Sequence, residues 1–77
     1  MNYKFVISYL IPVAVNNVPL THDQIISEAY DLYINSNPPN SYIPRSSLKF
    51  ILGNVHDDVI RNVLHYEVKI FEPILPL

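Results

Sequence analysis

The sequence predicts a small α+β domain, and three observations carry that prediction. Tyr3 to Val15 is rich in β-branched and aromatic residues in the manner of a strand. Thr21 to Tyr33 holds a capping signal followed by a helical apolar stripe, and from Tyr66 the period returns to two. Strands near the two ends of residues 1–77 with helices between them make one α+β domain. The expected order is strand, helix, a short helix or strand, helix, strand, with the terminal strands in an antiparallel or mixed sheet.

In the first strand Tyr3, Phe5, Ile7, Tyr9 and Ile11 share one parity, and Lys4, Val6, Ser8 and Leu10 the other. Neither set is wholly polar, so cover by another subunit is one expectation for the second face. Pro12 has no N–H to give a ladder and should bend the strand, end it, or sit on an edge. Asn16-Asn17-Val18-Pro19 reads as a turn or loop.

Thr21-His22-Asp23-Gln24 is a capping box, with Asp23 in the first turn where the helix dipole favours an anion. Ile25, Ile26, Ala29, Leu32 and Tyr33 recur at helical spacing, leaving Glu28 and Asp31 to water. Asn35-Ser36-Asn37 should end the helix before Pro38-Pro39.

Leu48 to Leu52 fits either a short helix, capped by Ser46 or Ser47 and stopped at Gly53, or a short strand; the helix is preferred. Asp57 or Asp58 is expected to start a further helix with Val59, Ile60, Val63 and Leu64 as its stripe and His65 in its last turn. Tyr66, Val68 and Ile70 alternate with Glu67, Lys69 and Phe71 as the last strand. Two strands make a poor sheet, so partner strands are expected from Leu48–Leu52, from Pro12–Val18 or from a second copy in a homodimer.

Composition excludes more than it assigns. With no cysteine there is no disulfide and no thiolate ligand or nucleophile. A 49% hydrophobic content is too high for a disordered chain, and a small unstapled core favours self-association. Five basic against seven acidic residues, net −2, give neither the basic excess of a nucleic-acid binder nor the dense acidity of a nucleic-acid mimic. The apolar run Phe5 to Val15 is too short to span a bilayer and lacks a convincing cleavage site. A soluble, intracellular, cytoplasmic protein with no membrane partner is therefore expected.

One glycine, Gly53, cannot build a phosphate-cradling loop, so no nucleotide cofactor is expected. A metal would have to use His22, His56, His65, Asp23, Asp57 and Asp58, yet no two histidines have the i, i+4 spacing, and helix ends explain them better. A catalytic set drawn from Ser46 or Ser47, His56 and Asp58 has no nucleophile elbow around it. No catalytic, metal or cofactor residue is assigned.

The remaining expectation is a non-enzymatic protein-binding module, a homodimer that occupies a surface of a larger macromolecule. Tyr42, Arg45, Ile74, Leu75 and Leu77 are its candidate interface residues, since an apolar tail at a fray-prone terminus suits a groove on another chain. Pro73-x-x-Pro76 also matches the minimal proline-rich ligand motif. The Asn-, Ile- and Tyr-rich composition, with one glycine, suggests a standalone inhibitor encoded by a virus or mobile element, although seven prolines run against an AT-rich gene. Tyr42, Arg45 and Lys49 support an alternative, an accessory nucleic-acid-binding protein, because aromatics beside cations stack bases and hold phosphates. A self-assembling structural protein is the third reading.

Overall fold

A computed structural model describes residues 2–36, 43–58 and 63–74, the side chains of 54–58 excepted. Strand β1 (Tyr3–Pro12) leads into a small hairpin, β2 (Ala14–Val15) and β3 (Val18–Pro19). Helix α1 (His22–Ser36) follows, then a single 3-10 turn at Arg45–Ser47, strand β4 (Lys49–Asp58) and strand β5 (Val63–Pro73). The fold is α+β. The main sheet is antiparallel in the order β1-β5-β4, so the strand latest in sequence lies at its centre.

Each local element has a readable cause. Pro12 ends β1, and Asn16 and Asn17 both take positive φ, 51° and 62°, as a two-residue turn of right-handed twist requires. Val15 then pairs with Val18. The capping box forms in full: the Gln24 N–H donates to Thr21 Oγ1 at 3.2 Å and the Thr21 N–H to Gln24 Oε1 at 2.8 Å.

Ile25, Ala29 and Tyr33, spaced by four, form the buried stripe of α1, while Leu32 from the expected stripe stays exposed. They meet Ile11, Leu48, Val68 and Ile70, which complete the core among the described residues. Val6, Tyr9, Phe50, Leu52 and Tyr66 pack around it. The even-numbered residues of β5 therefore face α1, and the odd-numbered ones face away.

Three expectations are corrected. The helix expected from Asp57 or Asp58 to His65 is absent: β4 runs to Asp58, β5 starts at Val63, and the two pair Asp58↔Val63, Asp57↔Leu64 and His56↔His65. His56 and His65 thus lie in strands. Val59, Ile60 and Arg61 lie outside the described residues. The i, i+3, i+4 spacing of β-branched residues was compatible with either state, and antiparallel pairing decides it.

The preferred short helix at Leu48–Leu52 is also not formed: β4 starts at Lys49, and Leu48 just before it turns toward the core with Phe50 and Leu52, while Ile51 turns away. Gly53 is within β4 and stops no helix.

The single parity expected along β1 also breaks. The β1 register steps from Phe5↔Phe71 to Ile7↔Ile70, a bulge that places Val6 and Ile7 against one position of β5. Tyr9 and Ile11 face the helix, whereas Tyr3 and Phe5 face the opposite side with Ser8 and Leu10.

Candidate functional site: the open face of the sheet

Because α1 covers one face of the main sheet, the other face is uncovered among the described residues. Register sets its side chains in rows across the strands, about 7 Å apart. Tyr3 lies opposite Pro73, and the next row is Phe5, Phe71 and Lys49. Ser8, Lys69 and Ile51 follow, then Leu10 opposite Glu67 with Gly53 against it.

The first two rows form an aromatic cluster. The Phe5 and Phe71 rings meet edge to face, 5.5 Å between centroids at 78°. Lys49 Nζ lies 6.0 Å from the Tyr3 ring centre and 5.9 Å from that of Phe71, within cation–π range. One ammonium thus lies beside two rings, at the outer edge of that range. Phe5 is 57% exposed, Leu10 55%, Ile51 39% and Tyr3 37%. A water-facing sheet surface is normally polar at such positions.

At the far end the surface drops. A Cβ on Gly53 would lie 3.2 Å from the Glu67 carbonyl oxygen and 3.3 Å from Glu67 Cβ, so glycine allows the close approach there. The face is a ridge of rings at one end and a shallow step at the other. Its charges are Lys49 and Lys69 against Glu67. The helix side of the molecule carries exposed Asp23, Glu28 and Asp31.

No protein-family model, curated protein or solved structure matches the chain.

The candidate residues chosen from sequence are dispersed. Arg45 sits in the 3-10 turn and donates to Ser27 Oγ of α1 at 3.0 Å, on the helix side of the sheet. Lys49 is on the open face, so the two cations do not form one site. Tyr42, Leu75 and Leu77 lie outside the described residues, as does Pro76. Ile74 is exposed, and its N–H donates to the Asn2 carbonyl at 2.8 Å, continuing the β1–β5 ladder. Pro73 pairs with Tyr3 inside that ladder.

The sequence pointed to a second apolar face, since neither parity of β1 is wholly polar, but not to the residues on it, because the bulge at Val6 splits one apparent aromatic row between two surfaces.

One polar cluster lies on the helix side. The Tyr33 hydroxyl, on a fully buried residue, donates to Glu72 Oε1, and Lys4 Nζ pairs with Glu72 Oε2 at 3.2 Å. Burial and then the bond to Glu72 push the Tyr33 phenol well above its usual range. The bond from Tyr33 holds the Glu72 carboxyl below its usual range, against the opposing effect of burial, with help from Lys4. A phenol held protonated beside a carboxylate held ionised moves no proton near neutral pH, so the cluster is a structural clamp.

Among the described residues no three His, Asp or Glu side chains gather as metal ligands, and no helix is long and apolar enough to cross a membrane.

Proposed function

We propose that this protein is a non-catalytic binding module that applies the open face of its sheet to another protein. One observation supports the reading above the rest: Tyr3, Phe5, Leu10 and Ile51 stand uncovered beside Phe71 on a single sheet face. A contiguous apolar patch rimmed by charge is the usual mark of a protein contact. A protein partner fits better than nucleic acid. Leu10 and Ile51 offer no ring for a base, Glu67 opposes phosphate, and the chain is net −2.

Masking the surface of a larger host macromolecule, as an inhibitor from a virus or mobile element does, is a sharper form of the reading and rests on composition. The cysteine-free chain suits action in the cytoplasm.

The test is a photo-crosslinking amino acid in place of Ser8, at the middle of the face, in the cell that expresses the protein. Covalent adducts with protein from this position, and none from the same probe at Glu28 on the helix, are expected. Equal labelling at both positions, or adducts with nucleic acid alone, overturns the proposal.

A further inference from the structure

The open face carries more positive than negative charge in a chain that is net −2. Lys49 and Lys69 stand on it among apolar residues, and among the described residues neither has a carboxylate within ion-pair distance. Glu67, one row beyond Lys69, opposes them, while the exposed Asp23, Glu28 and Asp31 are on the helix side. From this we infer that the occupant of the face is a single amphipathic helix of another protein, its apolar stripe flanked by carboxylates. The inference rests on the open face being the working surface, as proposed above, and adds the chemistry of what it takes.

Dimensions select a helix. The outer strands β1 and β4 lie about 9.6 Å apart across β5, close to the diameter of one helix, about 10 Å. From the row of Tyr3 to the row of Leu10 the face runs roughly 20 Å, nearly four helical turns. The other side of the same sheet already holds such an element: α1, of 15 residues, packs there through Ile25, Ala29 and Tyr33. An extended peptide would add to a sheet edge instead of lying on a face. A patch of roughly 10 by 20 Å is also far below the 800 Å² or so that a standard globular interface takes from each partner. This chain's own helix cannot be the occupant, because its stripe is buried in its own core.

Register places the charges. Phe5 and Leu10 on β1, with Phe71 beside them on β5, seat the apolar stripe. Lys69 on β5 and Lys49 on β4 lie one row apart, with Ile51 next to both. One row is about 7 Å along a strand, and carboxylates at i and i+4 of a helix are about 6 Å apart along its axis. One flank of the helix therefore meets both ammoniums with an i, i+4 pair of Glu or Asp, and its next turn, over Glu67, carries no acid. Opposite charges facing across the contact fix which flank lies toward β4. An anionic membrane is the poorer match, since two lysines fall short of the cluster of about four or more that holds a chain on acidic lipid.

The experiment uses three synthetic peptides of about five helical turns with a leucine stripe, identical except for Glu, Gln or Lys along one flank. Backbone amide NMR shifts of the isotope-labelled full chain report where and how tightly each binds. The Glu peptide should move the amides of Phe5, Lys49, Ile51 and Lys69 and not those of α1. It should bind about threefold or more tighter than the Gln peptide, and the Lys peptide should bind weakest. Lys49→Glu with Lys69→Glu should reverse that order. Lys49→Gln with Lys69→Gln, a milder change, should abolish the preference even where the double reversal does not fold.

No binding of the Glu peptide, equal affinity for all three, or shifts confined to α1 overturns the inference. So does binding to phosphatidylserine vesicles in place of the Glu peptide. Protein adducts from Ser8 without any peptide preference would remove the acidic helix and leave the binding module standing, whereas no adducts from Ser8 would remove both.

Discussion

Tyr33 is the residue on which the two layers are fastened. It is fully buried, it comes from the last turn of α1, and its hydroxyl reaches Glu72 near the end of β5. A hydrogen bond to a charged acceptor is worth about 1.5–3 kcal/mol, and Tyr33→Phe should lose that amount in urea unfolding with little change in slope. Lys4 is more than half exposed, so Lys4→Ala should cost less than about 1 kcal/mol in the same measurement.

The pH dependence has a definite sign. The Glu72 carboxyl titrates lower in the folded chain than its ordinary 4.5, so its contribution is complete above that pH and is lost as pH falls further. The Tyr33 phenol titrates higher than its ordinary 10.0, so its contribution is present below pH 10 and is lost as pH rises beyond it. Glu72→Gln should flatten the acid limb of a stability–pH profile; an unchanged limb would show that other carboxylates dominate it.

At the level of elements, α1 stands on its capping box. Thr21→Ala removes the acceptor for the Gln24 N–H and should cost about 1 kcal/mol, read from the thermal midpoint. This helix was legible in the sequence because cap, stripe and stop signals agree within one short window. So were β1, the Asn16-Asn17 turn and β5. What could not be read was the stretch from Leu48 to Leu64. Its β-branched residues fit helical and strand spacing alike, and the choice is made by β5 from outside the segment. The open face was hidden for a related reason: one bulged residue, Val6, reverses the parity of Tyr3 and Phe5 relative to Tyr9 and Ile11, and no local signal announces it.

For the whole molecule, shape limits stability. The principal extents are 46 × 19 × 18 Å and the radius of gyration is 13.6 Å, against about 11.5 Å for a compact chain of this length. A rod two layers thick has much surface and little interior, so a partner that covers the bare face adds directly to folding free energy.

The position of β5 between β1 and β4 also bears on how the protein is made. Until Val63–Pro73 has left the ribosome, the two outer strands have nothing to zip onto, since they do not touch each other. Assembly must therefore begin with the β4–β5 hairpin and finish when β1 closes a loop of more than 50 residues, as in Ile11↔Tyr66. Nascent chains arrested short of Val63 should be digested throughout by a protease, α1 included, and become resistant only once the middle strand has emerged.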